Sequence, residues 1–228
     1  NRYAEVHLQA EDYIPLIDIE FEMDPAEVTM PLIEEMHALE PYGMGNPKPK
    51  FGWRSLRGSY AQPIGKEHQH LRFRIETMQQ SITALAWNKG EYAGLVNAER
   101  LDLVYVPELN VWNGHTSIQC MIDDLSPARS ERVFPDHAML GRVYLFLRQL
   151  QQEQAIPMDA LQLTLRFLAG GQKISLYTMQ KALAIFQEIG LLQADLAKEQ
   201  YMMPPAPKKK LDLMQSAIYR QGIEKQQL

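Results

Sequence analysis

Short runs of alternating hydrophobic and polar residues dominate the first half of the chain. Alternation every second residue places apolar side chains on one face of a strand and polar ones on the other. Extended runs of this kind are predicted at 51–60, 69–78, 81–87, 101–111 and 115–125. In the second run Leu71, Phe73 and Ile75 face one side, and a basic row faces the other. Strands are therefore predicted to dominate residues 51–125.

The segment between the third and fourth runs has a different period. Tyr92, Leu95 and Val96, within residues 89–100, have the spacing of one helical turn. Five short strands with a helix between the third and fourth are the order of an OB-fold barrel, which commonly binds single-stranded nucleic acid or oligosaccharide.

The opening segment contains one strand pattern and one helix pattern. Residues 17–23 alternate strictly, which predicts a half-buried strand. Thr29 is suited to cap a helix that starts near Met30, and Pro41 and Gly43 end that helix. The segment is small and acidic, so it is interpreted as the tail of an upstream domain and a connector.

Helical periodicity dominates the second half. Three helices are predicted, with Pro157 starting the second and Ser175 capping the third. A hairpin over 191–203 follows, so a winged-helix-like domain is expected. The fold class is α+β, a five-stranded OB-fold β-barrel followed by a mainly helical winged-helix-like domain. The predicted divisions are 1–44 (tail and connector helix), 45–126 (OB-fold domain), 127–137 (linker), 138–203 (winged-helix-like domain) and 204–228 (spacer and C-terminal helix).

Charge is distributed unevenly along the chain. The net charge is −5, which argues against nucleic-acid binding for the chain as a whole. However, residues 1–47 hold one basic and eleven acidic residues, whereas residues 48–74 hold seven basic and one acidic. Phosphate attraction acts within about 8–10 Å at physiological salt, so the local patch outweighs the total. A single cysteine, Cys120, excludes an internal disulfide and fits a reducing cytoplasm.

The basic patch is the best candidate site. Single-strand binders combine cations for the phosphates with aromatic faces for stacking bases, and Phe51, Trp53 and Tyr60 are interleaved with the basic residues. The alternative is a solvated outer face of the barrel. The candidate nucleic-acid-binding residues are Lys48, Lys50, Trp53, Arg54, Arg57, His70, Arg72, Arg74, Trp112 and Asn113.

Catalytic and metal-binding residues are not predicted. His68 and His70 have a spacing that could hold a metal, but no third ligand lies within sequence reach. Contacts with solvent or phosphate are the preferred interpretation. Cys120 is expected to be a small buried hydrophobe.

Four motifs carry a resemblance to a known family. Residues 39–51 read LEPYGMGNPKPKF, similar to the LEPFGxGNPxPxF signature of RecJ proteins, the bacterial single-strand-specific 5′→3′ DNA exonucleases. Residues 70–74 (HLRFR), 86–88 (AWN) and 105–123 (YVPELNVWNGHTSIQCMID) resemble further RecJ segments in the same order. The likeness of residues 138–228 to the extra C-terminal domain of longer RecJ proteins is softer.

The resemblance implies a function in DNA repair and recombination. In that family a DHH domain binds Mn²⁺ or Mg²⁺ for cleavage, and this sequence has no Asp-His-His. No cofactor is therefore expected in this chain, and it is expected to be inactive alone. The implied partners are single-stranded DNA, the upstream catalytic domains and the acidic C-terminal tail of single-strand binding protein. Candidate tail-binding residues are Arg142, Arg148, Lys173 and Lys181.

Two functional interpretations stay open. In the first, the barrel grips single-stranded DNA for an exonuclease. In the second, the chain is chiefly a protein-interaction module with little DNA affinity, and the barrel acts as a brace.

Overall fold

The structure is a computed structural model that describes residues 17–78, 80–207 and 212–226. Within these ranges the chain is a mixed α+β fold with ten strands and six α-helices. The strands are β1 (Phe21–Glu22), β2 (Phe51–Leu56), β3 (Gly58–Ile64), β4 (His70–Glu76), β5 (Ser81–Ala86), β6 (Leu101–Trp112), β7 (His115–Pro127), β8 (Ile156–Pro157), β9 (Gln193–Asp195) and β10 (Gln200–Met202). The helices are α1 (Met30–His37), α2 (Ala93–Ala98), α3 (His137–Glu153), α4 (Ala160–Ala169), α5 (Leu176–Glu188) and α6 (Ala217–Gln226).

Strands β1 to β7 form one sheet in the order β1-β2-β6-β7-β5-β4-β3. Each of the five extended runs predicted from the sequence forms a strand. The first run forms two strands, because the strand is interrupted at Arg57. Strand β1 pairs with β2, and β5 pairs with β7, in parallel; the other neighbouring pairs in this sheet are antiparallel. Helix α2 lies between β5 and β6, as the periodicity of residues 89–100 predicted.

The prediction of a half-buried strand over 17–23 was wrong in extent and in burial. Only Phe21–Glu22 pair as a strand, and residues 17–22 are all exposed, whereas Met23 is buried. The alternation of apolar residues is real, but this strand lies at the edge of the sheet. In the described chain no layer covers the alternating side chains, and burial requires such a layer.

The second half of the chain forms helices around a small sheet. Strands β8, β10 and β9 form a three-stranded antiparallel sheet, and β9 and β10 are the predicted hairpin. Ser175 caps α5 by accepting from the Thr178 N–H at 3.2 Å, as predicted. Pro157 does not start the second helix. It lies in β8, and Asp159 caps α4 by accepting from the Leu161 N–H at 2.8 Å.

The last helix packs on the helical core. It begins at Ala217, where the Glu188 carboxylate accepts from the N–H groups of Ala217 and Ile218 and from the Ser216 hydroxyl. Tyr219 is buried. The backbone of Gly222 lies so close to Phe134 that a Cβ there would overlap the ring. The lysine run 208–210, within the predicted spacer and C-terminal helix of 204–228, lies outside the described residues.

We expect opposite effects from two glycine-to-alanine substitutions in helices. Gly222→Ala should lower the melting temperature, because the new methyl group overlaps the Phe134 ring. Gly141→Ala in α3 meets nothing within 4 Å and should stabilise the protein by up to about 1 kcal/mol through helix propensity. Thermal unfolding followed by circular dichroism measures both. Equal shifts for the two variants would contradict the packing of α6 on Phe134.

The two halves of the chain share buried contacts. Leu161 and Leu176, from α4 and α5, belong to the same hydrophobic cluster as the strands of the large sheet. Glu99, 4% exposed at the end of α2, accepts from the Leu176 N–H at 2.8 Å. The other carboxylate oxygen, Oε2, is buried without a hydrogen-bond partner among the described residues. Burial, aided by the negative charge of Glu131, raises the pKa of Glu99 to about 7, although the Leu176 N–H acts in the opposite direction.

This junction should make stability depend on pH. The ordinary pKa of Glu99 is 4.5, so the folded protein binds this proton more tightly than the unfolded chain. The resulting stabilisation is fully present below pH 4.5 and is lost as the pH rises through about 7. Melting temperatures from pH 5 to pH 8 should therefore fall less steeply in Glu99→Gln than in wild type. Identical pH profiles would contradict a role for this carboxyl group.

Candidate nucleic-acid interface

Strand β4 separates an apolar face from a basic one. Leu71, Phe73 and Ile75 are fully buried, whereas Arg72 and Arg74 are exposed on the opposite face. The alternation predicted from the sequence is therefore confirmed. Burial of the apolar row anchors the strand, so the two guanidinium groups emerge from a rigid element rather than from a loop.

The two arginines border an open cleft of about 400 Å³. We call it the β4 cleft, and it is lined by Tyr60, Gln62, Arg72, Phe73, Arg74 and Thr83. Three neighbouring strands supply these residues, because Arg74 pairs with Ser59 on β3 and with Thr83 on β5. The lining thus combines two cations, an aromatic ring and two neutral polar groups at one place.

Tyr60 owes its position to an irregularity in β3. The register with β4 shifts between Ser59 and Gln62, and Tyr60 has a φ of 52°. Its side chain is 76% exposed, and the Arg74 guanidinium carbon lies 5.8 Å from the ring centroid. Sequence reasoning placed Tyr60 near the basic residues but not among the site residues. A β-bulge changes the direction in which a side chain points, and no sequence pattern reliably predicts where a bulge forms.

Several of the sequence-predicted cations are already paired with carboxylates. The Lys50 Nζ lies 2.7 Å from Asp123, and Lys48 and Arg54 pair with Glu108 and Glu22. A phosphate at these positions would compete with a carboxylate. By contrast, Arg57, Arg72 and Arg74 form no ion pair with a carboxylate in the described ranges. Among these predicted site cations, the unneutralised positive charge therefore lies on Arg57 and on the β4 arginines.

His70 and Trp53 have structural contacts. The His70 Nδ1 accepts from the Asn88 N–H at 3.2 Å, and its ring packs edge-on against Trp87 at 4.5 Å between centroids. Trp53 is half-buried and packs against the core of the large sheet. These side chains support the surface around the cleft and do not line it.

Trp112 and Asn113 lie apart from the cleft, at the tip of the β6–β7 hairpin. Trp112 is 72% exposed and pairs with His115 across the turn. Asn113 and Gly114 both have positive φ, 48° and 78°, as a two-residue hairpin turn requires. The structure therefore does not bring these two residues together with Arg72 and Arg74 in one pocket.

The candidate partner-binding cations occupy different environments. Arg142 and Lys173 both line a groove of about 410 Å³ whose walls include Val133, Pro135 and Ile174. The Arg148 guanidinium instead donates to the Pro204 carbonyl at 2.6 Å and to the Tyr144 hydroxyl at 3.0 Å. Lys181 lies over the Tyr177 ring, 5.4 Å from its centroid.

Among the described residues, neither a metal-binding cluster nor a membrane-spanning helix is found. Within the described ranges, no three or more His, Cys, Asp or Glu side chains converge where they could bind a metal ion. Cys120 is fully buried, and burial raises the pKa of its thiol to about 12. Its burial agrees with the prediction that Cys120 is a small buried hydrophobe. In the same part of the chain, no helix has the length and apolar character needed to cross a bilayer.

A family model and two curated relatives match part of this chain. Residues 19–124 match the family model of the RecJ OB domain. The single-stranded-DNA-specific exonuclease RecJ of Bacillus subtilis is 30% identical over 125 residues, which are 54% of this chain and 16% of that protein. RecJ of Thermus thermophilus is 35% identical over 96 residues, 41% of this chain and 13% of that protein. The match therefore spans less than one fifth of these relatives.

A solved structure is also similar to part of this chain. The crystal structure of RecJ in complex with Mg²⁺ from Thermus thermophilus shares 29% identity, with a TM-score of 0.35, over 43% of this chain and 14% of that one. The described residues here do not fit such an ion, because they offer no cluster of ligands. The signature at 39–51, the order of the later motifs and the family match over residues 19–124 agree. Residues 19–124 of this chain therefore resemble the OB domain of RecJ proteins.

Proposed function

We propose that this chain is the part of a RecJ-like exonuclease that binds single-stranded DNA, and that its parent acts in DNA repair and recombination. The β4 cleft is the centre of the binding surface. The cleavage chemistry belongs to catalytic domains of the kind found in the longer relatives.

The strand pairings support a closed five-stranded OB-fold barrel. Strand β2 pairs with β6 at one side of the sheet, β3 pairs with β4 at the other, and only Arg57 separates β2 from β3. Taken as one bent strand, β2 and β3 would join the two sides of the sheet. OB barrels commonly bind oligonucleotides over the face of their second and third strands, which correspond to β4 and β5 here.

One observation carries the proposal: Arg72 and Arg74 are exposed beside an exposed aromatic ring, with no carboxylate paired to either in the described chain. Guanidinium groups bind phosphates through charge-assisted hydrogen bonds, and aromatic rings stack on bases. A single strand exposes base faces to such a ring, whereas a duplex keeps them stacked inside. The selectivity expected from this surface is for strandedness, not for base sequence.

Fluorescence anisotropy with a labelled oligodeoxythymidylate tests the proposal. The chain should bind the single strand and not a matching duplex, and the affinity should fall as salt rises, because each neutralised phosphate releases counterions. Absence of binding at tens of micromolar protein would contradict DNA binding by this chain alone.

We further expect no cleavage of single strands by the purified chain when Mg²⁺ or Mn²⁺ is added. The described residues supply no ligand cluster for either ion, and two-metal hydrolysis requires one. Metal-dependent degradation of an oligonucleotide by the pure chain would overturn this expectation.

A second candidate function is docking of an acidic peptide, such as the tail of single-strand binding protein, on a winged-helix-like domain formed by 138–203. The groove with Arg142 and Lys173 combines apolar walls with two cations, and two carboxylates, Glu131 and Asp136, also line it. A neighbouring groove, which Arg142 also lines, includes Arg166, whose Nη1 is buried without a partner among the described residues. The end of a peptide that carries both carboxylates and an apolar residue could pair with these cations and contact the apolar walls.

Peptide binding separates the two functions. An acidic peptide that ends in an apolar residue should bind wild-type protein and bind Arg142→Ala/Lys173→Ala more weakly. Wild-type affinity for both DNA and peptide would assign both functions. Peptide binding without DNA binding would favour the second function alone.

A further inference from the structure

We infer that the β4 cleft is a subsite for one unpaired nucleotide, in which the base stacks on Tyr60 and the adjoining phosphate binds Arg72. This inference rests on the proposed function and adds a base contact to it. The cleft volume of about 400 Å³ lies within the range of about 300–1,000 Å³ that is usual for small-ligand sites.

The conformation of Tyr60 is unfavourable and is held in place. A positive φ of 52° is an outlier for a bulky side chain, and such conformations persist only where the surrounding structure determines them. Here the Asn97 amide of α2 determines the bulge. Its Oδ1 accepts from the Ala61 N–H at 3.0 Å, and its Nδ2 donates to the Ala61 carbonyl at 3.1 Å. These two bonds fix the residue that follows Tyr60.

The Tyr60 ring is held in place by one contact and can still stack on a base. Arg74 lies over it, and cation–π attraction restricts its rotation. With 76% of the side chain exposed, the ring still has open surface for a base. Pre-ordering both groups reduces the entropy lost on binding. Two neutral polar groups, Gln62 and Thr83, border the same cleft. The Gln62 amide oxygen faces the Arg72 guanidinium and can accept from it, so the Thr83 hydroxyl is the group available to hydrogen-bond the edge of a stacked base.

This arrangement assigns different parts of a nucleotide to different residues. Arg72 contributes charge, Tyr60 contributes stacking, and Asn97 is a positioning residue that does not contact the ligand. Stacking on an aromatic side chain is worth about 1–3 kcal/mol per base, which corresponds to roughly 5–150-fold in affinity.

Abasic oligonucleotides test the base contact directly. Wild-type protein should bind an oligodeoxythymidylate about 10-fold more tightly than an abasic strand of the same length and charge. Tyr60→Ala should lose about 10-fold on the normal strand and no longer distinguish the two. Tyr60→Phe, which keeps the ring, should behave as wild type. Asn97→Ala should weaken binding of the normal strand more than binding of the abasic strand.

Tyr60→Gly distinguishes a ligand-binding role from a structural one. Glycine accepts a positive φ without strain, so the melting temperature should not fall, whereas discrimination between the two strands should be lost. If Tyr60 instead serves the fold, this variant should melt earlier and keep the discrimination, which would overturn the inference.

The remaining outcomes separate this inference from the proposed function. If wild type and Tyr60→Ala bind DNA equally and both favour the normal strand to the same extent, the base contact is wrong and DNA binding stands. If wild type binds neither strand, the proposed function fails and the subsite fails with it.

Discussion

The Arg72→Ala/Arg74→Ala double variant is expected to bind single-stranded DNA about 100-fold more weakly than wild type, since hydrogen bonds to charged groups contribute roughly 1.5–3 kcal/mol each and about 1.4 kcal/mol is a factor of ten. Both side chains are exposed and have no carboxylate partner in the described chain, so their removal should not unfold the protein. The slope of log affinity against log salt should fall by about 1.4, because each single-strand phosphate contact contributes about 0.7.

The matched control is Lys48→Ala/Lys50→Ala. It removes the same amount of charge, but both lysines are paired with carboxylates, and surface pairs contribute little to stability. Affinity within about threefold of wild type is expected, since these cations offer phosphates little unneutralised charge. Equal losses in the two double variants would show that net charge, and not the β4 face, governs binding.

Phe73→Ala should lower the free energy of unfolding by about 3–5 kcal/mol, the usual range for truncating a buried phenylalanine. Phe73 is fully buried, and a Cβ on Gly58 would lie 3.1 Å from its ring, so the neighbouring strand has little freedom to fill the cavity. The substitution should also disturb the proposed DNA-binding site, because Phe73 lies between Arg72 and Arg74 in β4. Urea unfolding measures the change.

Phe21→Ala provides the comparison. Phe21 is 55% exposed in β1, and a loss below about 1 kcal/mol is expected, since surface substitutions rarely exceed this. A loss for Phe73→Ala as small as that for Phe21→Ala would contradict the description of β4 as the strand that anchors the basic face to the core.

Local patterns predicted most of the strands and helices because those patterns depend on neighbouring residues. The period-two pattern of β4 and the Ser175 cap are examples, and both were found as predicted. Errors arose where a local pattern depends on distant residues. Alternation in 17–23 predicted burial, but no described element covers that edge. Pro157 is compatible with the first turn of a helix, but it pairs with Gln200 in a strand instead.

The candidate site could be predicted in part, for the same reason. Arg72 and Arg74 were identified because they share one face of one strand. The pairing of Lys50 with Asp123 joins residues 73 positions apart, and no local pattern reveals it. Tyr60 depends on a bulge that Asn97 holds from another element. Sequence therefore identified the basic region, whereas the tertiary contacts distinguish its paired cations from its unpaired ones.

Hydrogen–deuterium exchange with and without a saturating oligodeoxythymidylate tests the central claim most directly, because it maps the bound strand on the protein. Exchange should become slower in β3, β4 and β5, which surround the β4 cleft, and should change little at residues 48–50 or in the helical half. Protection confined to α3 and α5, or absent from β3 and β4 under conditions where the oligonucleotide is bound, would contradict the claim.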